Sequence, residues 1–228
     1  KSSPIEQQPN LAAVRFDQLA RLPRGPRAGF ARRHAASLRA LVAAANSGGL
    51  VGEIWVASGT YRPDRGSGAR SATFQLPPFV SIFGGFVGGE TSLAERRPRI
   101  HRTILTGDLA GNDDGTFNAS NATDNCRHVV TGPPSSDGPA WANLDGFVIT
   151  GGWADGHEPD DRGAGLLCIG SSPILGQCEF VMNSARRGGG AVFAGYYSNP
   201  VVRNCVFAIN SGGNGGANSL GRVGLACA

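Results

Sequence analysis

The chain has 228 residues, of which 35 are glycine and only 17% are charged, and its formal net charge is +4. This length is enough for one domain with a buried core or for a series of stacked units. The glycines lie in clusters between apolar runs, without the three-residue period of collagen, which indicates tight corners between strands. The basic residues are concentrated near the N-terminus without a helix-turn-helix pattern or a zinc-ligand spacing, so nucleic-acid binding is not expected.

The first elements in chain order are predicted to be a lead-in and a short helix. Residues 1–36 are interrupted by four prolines, and we expect a poorly ordered basic segment there. Residues 37–46 follow as a helix with Ser37 as its N-cap, and its apolar face would cover the open end of a β stack. No apolar run is long enough to span a membrane, so no transmembrane segment is expected.

The remainder of the chain is predicted to be all-β. From Glu53–Ala57 onwards, short runs with strand alternation are separated by turn residues, with no helical pattern between them. This pattern defines one β domain over residues 37–217, which includes the capping helix. Residues 218–228 show no strand pattern and are expected to form an irregular tail, consistent with a fragment of a longer protein.

The clearest signal is a repeat of 27 residues. Five positions recur at this spacing: Pro173, Cys178, Phe180, Asn183 and Ser184 return as Pro200, Cys205, Phe207, Asn210 and Ser211. Such a period, with strand residues at its centre and glycines at its corners, is typical of a solenoid whose neighbouring coils share a core. Strand alternation then predicts three inward columns: Cys178 on Cys205, Phe180 on Phe207, and Met182 on Ile209. Asn183 and Asn210 are expected to form an asparagine ladder that satisfies backbone groups at the corner.

The cysteines are expected to be core residues. Stacked Cys178 and Cys205 would lie about one strand spacing apart, near the upper limit for a disulfide. Buried free thiols are therefore expected, and the five cysteines do not settle the redox compartment.

The repeat resembles that of a known family. Gly189–Val192, with Phe180–Asn183 and Phe207–Asn210, is similar to the paired GGA(I/L/V) and FxxN repeats of the polymorphic outer-membrane protein family. Upstream, three segments resemble coils of secreted bacterial right-handed parallel β-helix proteins: Ile54–Tyr61, Gly84–Leu93 and Leu144–Gly152. The resemblance covers roughly residues 50–217. It implies a right-handed parallel β-helix and a secreted or cell-surface protein of the bacterial outer surface, adhesive in some members, and it brings no catalytic residues.

One acidic loop is a candidate calcium site. Asp108, Asn112, Asp113 and Asp114 lie close together around glycines, and their oxygens are suitable ligands for a hard cation. The EF-hand pattern is not met, and the alternative is a solvated turn built from good turn formers.

A second loop and nearby aromatic residues are candidates for ligand binding. The loop carries four acids: Asp155, Glu158, Asp160 and Asp161. Paired carboxylates can hydrolyse glycosides, but acids confined to one loop are also what solubility alone would give. Trp153, Tyr196 and Tyr197 could stack on sugar rings, or could simply cover loop backbone.

Three functions remain open on the sequence. We expect a non-enzymatic secreted or cell-surface protein that binds a polysaccharide or a cell-surface protein, with no cofactor other than calcium. The alternatives are a polysaccharide lyase or glycoside hydrolase, and a purely structural module of a larger surface protein. A groove with two acids, or an acid and an arginine, on adjacent coils would favour the enzyme.

Overall fold

A computed structural model describes residues 53–116, 120–134, 140–213 and, for the backbone alone, 218–220. The predicted lead-in 1–36 and helix 37–46 lie outside these residues. The all-β prediction is confirmed. Within the described ranges the only helical turns are two 3-10 turns, at Leu93–Glu95 and Ala122–Asp124.

The strands form three five-stranded sheets and one three-stranded sheet, and every strand pairing in the described chain is parallel. The first sheet consists of β1 (Glu53–Ala57), β4 (Ser81–Phe86), β7 (Asn143–Asp145), β11 (Ile174–Gly176) and β15 (Val201–Arg203). The second consists of β2 (Gly59–Tyr61), β5 (Thr103–Thr106), β8 (Phe147–Thr150), β12 (Glu179–Val181) and β16 (Val206–Ala208). The third consists of β3 (Phe74–Gln75), β6 (Val130–Thr131), β10 (Leu166–Ile169), β14 (Val192–Gly195) and β18 (Asn218–Leu220). The fourth consists of β9 (Trp153–Ala154), β13 (Ser184–Ala185) and β17 (Ser211–Gly212).

The chain visits these sheets in a fixed order. We call one round of the chain through the sheets a passage. Strands β1 to β3 form the first passage, through the first three sheets, and β4 to β6 form the second. The third, fourth and fifth passages (β7 to β10, β11 to β14 and β15 to β18) each also add a strand to the fourth sheet. The two copies of the 27-residue repeat are the fourth and fifth passages.

The core is built from inward columns that run across successive passages. In the second sheet, Tyr61, Leu105, Ile149, Phe180 and Phe207 are in register, and the first four are almost fully buried. The Phe180 and Phe207 rings stack with centroids 5.2 Å apart and planes at 10°. Since neighbouring passages supply both faces of each buried ring, no single passage could exclude water from its own side chains. The predicted stacking of Phe180 on Phe207 is confirmed.

The third predicted column, Met182 on Ile209, is wrong. The strands end at Val181 and Ala208, and the next residues turn with left-handed φ values of 55° at Met182 and 53° at Ile209. One left-handed residue shifts the alternation by one position, so that Asn183 points inward with 0% exposure while Ile209 is 67% exposed.

The predicted asparagine ladder is confirmed. The Asn183 side-chain amide donates to Ile149 O (3.0 Å), Val181 O (3.1 Å) and Asn210 Oδ1 (3.0 Å). Asn183 Oδ1 accepts from the backbone N–H of Gly152 (3.1 Å). These bonds satisfy the backbone groups of a buried corner that water does not reach.

The predicted irregular tail is corrected in part. Asn218–Leu220 forms β18, which pairs with β14 and continues the third sheet. Parallel pairing uses only backbone groups, so the open edge of β14 can order a segment whose side chains show no apolar alternation.

The exposed left-handed corner gives a stability prediction. A left-handed conformation costs a β-branched residue about 1–2 kcal/mol, whereas glycine adopts it freely at about 0.5–1 kcal/mol of chain entropy. We expect Ile209→Gly to raise the free energy of unfolding by about 0.5–1 kcal/mol in urea titrations. The control is Val206→Gly, at a comparably exposed position inside β16, which should lower stability by about 1 kcal/mol. Equal losses in both variants would contradict the argument.

Candidate functional site

The acidic loop is held by arginines. Asp155 forms a two-point pair with Arg70 (2.9 and 3.2 Å), and Glu158 pairs with Arg162 (3.1 Å). Asp160 lies 3.4 Å from Arg127 and 3.3 Å from His128 Nε2. These contacts fasten the loop to segments that lie up to 85 residues away in sequence. Asp155, Glu158 and Asp160 are therefore each held in an ion pair with an arginine.

Asp161 is the buried member of this loop, with an exposure of 1%. Arg162 Nε lies 3.3 Å from its Oδ1, in an ion-pair contact without hydrogen-bond geometry, and Arg186 and Arg187 approach Oδ2 at 3.7 Å. The Arg162 guanidinium also covers the Phe193 ring at 5.2 Å from its centroid. Asp161 is therefore a structural anchor between β10 and β13, and no ligand could reach it without displacing arginine.

The aromatic candidates lie on different sheets. Trp153 belongs to β9 in the fourth sheet and is half-buried. Tyr196 and Tyr197 follow β14 in the third sheet, are 59% and 96% exposed, and both have positive φ. The Tyr196 hydroxyl donates to Glu158 Oε1 (2.9 Å), and this hydrogen bond raises the pKa of Tyr196. The structure thus joins Tyr196 to the acidic loop and leaves Tyr197 projecting from the surface.

The candidate calcium loop turns its carboxylates onto its own backbone. Asp108 accepts from the N–H groups of Gly111 (2.6 Å) and Asn112 (3.1 Å), and Asp114 accepts from Thr116 N (2.9 Å). Asp113 accepts a hydrogen bond from the Asn125 amide (2.9 Å). The pKa of Asp113 is raised, mainly by burial and to a smaller extent by repulsion from the neighbouring carboxylates. Within the described ranges, no group of three or more His, Cys, Asp or Glu is arranged to hold a metal ion. The calcium site stays a prediction.

A groove that the sequence did not single out lies on the outer face of the first sheet. Ile82, Leu144 and Leu175 are in register in β4, β7 and β11 and point into the core, so the residues before and after them lie on the outer side of the sheet. The groove has a volume of about 360 Å³. Its lining comes from the second to fifth passages and the loops beside them: Ser81, Trp141, Asn143, Asp145, Ile174, Gly176, Gln177, Arg203 and Asn204.

Trp141 forms the aromatic wall of this groove. Its side chain is 42% exposed, and Phe79 packs edge-on against it with centroids 5.8 Å apart. The Phe79 N–H also donates to the Trp141 carbonyl (2.7 Å), which fixes the backbone of the aromatic pair. A second depression of about 560 Å³, lined by the 92–98 loop, meets the groove at Gln177.

Asp145 is the one carboxylate among the groove's lining residues, and it is neutralised. Arg96 Nη2 lies 2.6 Å from Asp145 Oδ1, with only 10% and 17% of the two side chains exposed. Gln177 donates to the same oxygen (3.2 Å). A Cβ at Gly176 would collide with Asp145 Oδ2, so a larger residue there would force the Asp145 carboxylate to shift. Arg96 in turn lies over the Phe83 ring, 5.1 Å from its centroid.

The groove therefore offers one aromatic surface, three side-chain amides, the Ser81 hydroxyl, the exposed Arg203, and a carboxylate whose charge is already balanced. Such a surface can bind a polar ligand with an apolar face. It lacks the second carboxyl group that glycoside hydrolysis requires, where one group is protonated and the other is ionised. A usable signal was the alternation in Asn143–Asp145, where two polar residues flank the buried Leu144.

Comparison with protein-family models, with curated proteins and with solved structures found no match to the chain. No described helix has the length and apolarity needed to cross a membrane. The function is therefore inferred from the groove and the loops themselves.

Proposed function

We propose that the chain is a secreted or cell-surface right-handed parallel β-helix that binds glycans without transforming them. Three parallel sheets that each gain one strand per passage support the β-helix, as does the repeat of 27 residues that separates Asn183 from Asn210. The cell-surface location follows the resemblance of the repeats to outer-membrane proteins.

The observation that carries the proposal is the groove on the outer face of the first sheet. A sugar ring has an apolar face suited to the exposed side of Trp141 and a rim of hydroxyls suited to amides. Asn143, Gln177 and Asn204 supply such amides from three successive passages. Gln177 and Asn204 directly follow the paired residues Gly176 and Arg203, so these two amides would lie about 4.8 Å apart along the groove, which fits an extended chain ligand.

The same groove supports binding rather than catalysis. Its single carboxylate, Asp145, and Arg96 of the preceding passage are an acid and an arginine on adjacent passages, but they are mostly buried and neutralise each other. The exposed Arg203 is two passages away from Asp145. In a hydrolase a second acid would be needed to protonate the leaving group or to activate water.

A panel of neutral and acidic polysaccharides, scored for both binding and product release, tests the proposal. Binding without product release is the expected outcome. Release of shortened or unsaturated products would assign the protein to a hydrolase or lyase instead. Failure of the whole panel to bind would leave the structural module as the function and refute the proposal.

Trp141→Ala is expected to weaken glycan binding about tenfold, because loss of the aromatic face removes about 1.4 kcal/mol of contact energy. Isothermal titration with the best polysaccharide of the panel measures the change. Tyr197→Ala is the matched control, since Tyr197 is a more exposed aromatic residue on the third sheet and outside the groove. A loss confined to Tyr197→Ala would place the binding surface at the tyrosine pair, as the sequence suggested, and not in the groove.

Calcium binding by the 108–114 loop is tested by thermal unfolding with calcium chloride and with chelator. If the loop binds calcium, the metal should raise the midpoint, and Asp113→Asn should abolish the increase. An unchanged midpoint at millimolar calcium would rule the site out.

A further inference from the structure

Two cysteines on neighbouring passages lie side by side. Cys178 and Cys205 directly precede β12 and β16, whose first residues, Glu179 and Val206, are paired in register. The Val206 N–H donates to the Cys178 carbonyl (2.8 Å), so the pairing extends to the cysteines themselves. Parallel neighbours have Cα atoms about 4.8 Å apart, which is inside the range of about 4.4–6.8 Å found in disulfides and not at its upper limit. The expectation that this spacing disfavours a disulfide is therefore corrected.

Both side chains face the core, but they differ in access. Cys178 is 1% exposed, whereas Cys205 is only partly buried and packs against the edge of the same cluster. Cys178 contacts Leu144 O (3.4 Å), and Cys205 contacts Arg203 O (3.4 Å). This arrangement places one reachable sulfur directly beside one that is sheltered.

The electrostatics of the pair assign different roles to the two thiols. The neighbouring Cys178 thiol lowers the pKa of Cys205, because an adjacent S–H donor stabilises the Cys205 thiolate. Burial raises the pKa of Cys178 well above its ordinary value. Burial also raises the pKa values of Cys126 and Cys168 to about 12. Of the four described cysteines, Cys205 is therefore the one suited to attack an external electrophile.

We propose that Cys205 and Cys178 form a reactive dithiol that a small disulfide, such as oxidised glutathione, converts into a disulfide between the fourth and fifth passages. The Cys205 thiolate attacks one sulfur of glutathione disulfide and releases a glutathione thiolate. Cys178 then attacks the Cys205 sulfur of the mixed disulfide, and its proton passes to the second glutathione thiolate as that leaves. The protein loses two electrons and two protons, and one glutathione disulfide becomes two glutathione thiols.

This reaction is independent of glycan binding. The two cysteines face the core, whereas the groove lies on the outer face of the first sheet. The new bond would close a loop between residues 27 apart in sequence and would fasten β16 to β12 covalently. In an oxidising extracellular setting this would hold the fifth passage in place.

The test treats the reduced full-length chain with glutathione disulfide under native conditions, followed by thiol counting and peptide mapping. We expect two thiols to be lost and Cys205 to be found linked to Cys178. Because Cys168 and Cys178 lie between the same two arginines, Arg162 and Arg186, they fall on one tryptic peptide. Cys168→Ala is therefore included, and the cross-link should persist in it. A link of Cys205 to any other cysteine would overturn the proposal.

Two single variants separate the steps. In Cys178→Ser, Cys205 should accumulate as a stable mixed disulfide with glutathione. In Cys205→Ser, Cys178 should remain reduced in the folded protein. For the wild type, an increase in the urea midpoint after oxidation, reversed by dithiothreitol, is expected. If Cys205 of the wild-type protein stays reduced, or stops at the mixed disulfide, the proposed disulfide between Cys205 and Cys178 is refuted.

Discussion

Replacing Phe180 by alanine is expected to lower the free energy of unfolding by about 3–5 kcal/mol. The ring is fully buried and lies between Ile149 of the third passage and Phe207 of the fifth. Its removal opens a cavity that the neighbouring backbone cannot close, because parallel pairing on both sides fixes the strand spacing. Urea unfolding followed by circular dichroism measures the loss.

Val206→Ala is the control for this substitution. Val206 belongs to the same second sheet but is 53% exposed, and a loss below about 1 kcal/mol is expected. If Phe180→Ala costs no more than Val206→Ala, the column of Tyr61, Leu105, Ile149, Phe180 and Phe207 is not the core of the protein. An unchanged denaturant slope would show that both variants unfold from the same compact state.

Asn183→Ala is expected to cost about 3 kcal/mol, which is large for the loss of one polar side chain. The substitution leaves the Gly152 N–H and the Ile149 carbonyl without the partners that Asn183 provides at a fully buried corner. Each buried polar group deprived of its partner costs about 1–3 kcal/mol. The same urea titration applies.

Asn210→Ala provides the comparison within the ladder. Asn210 donates to Phe180 O (2.9 Å) and Ala208 O (3.1 Å), but it is only half-buried, so water can replace part of what is lost. A smaller cost, about 1 kcal/mol, is expected. A larger loss of stability for Asn210→Ala than for Asn183→Ala would show that burial does not determine how much each asparagine stabilises the fold.

Much of the fold was predictable because it repeats. The 27-residue spacing correctly paired Phe180 with Phe207 and Asn183 with Asn210, since stacked passages place equivalent residues side by side. The column of Met182 was mispredicted because strand alternation was extended through the corner. Left-handed φ is readily inferred where glycine occupies such a position, as at Gly151, but Met182 and Ile209 give no such signal.

The candidate site was less predictable because its parts come from loops, or from repeat positions at which the residue type changes, such as Gly176 opposite Arg203. Trp141 precedes β7, Arg96 lies in the loop after β4, and Arg203 ends β15. Neither the Arg96–Asp145 pair nor the Arg70–Asp155 pair follows a sequence spacing, because loops of different length bring them together. The acidic loop was recognised from its composition, which shows the carboxylates but not the arginines that neutralise them.

The order of strands within the sheets also bears on how the chain folds as it is made. Neighbouring strands in a sheet are always at least one passage apart, and the smallest separation, between Leu166 and Val192, is 26 residues (192 − 166). Among the described strands there is thus no hairpin to nucleate folding locally. A chain emerging from the ribosome or a secretion pore can pair β1 only after β4 has followed it. We infer that folding advances one passage at a time, with the most recent passage exposing its edge until the next arrives.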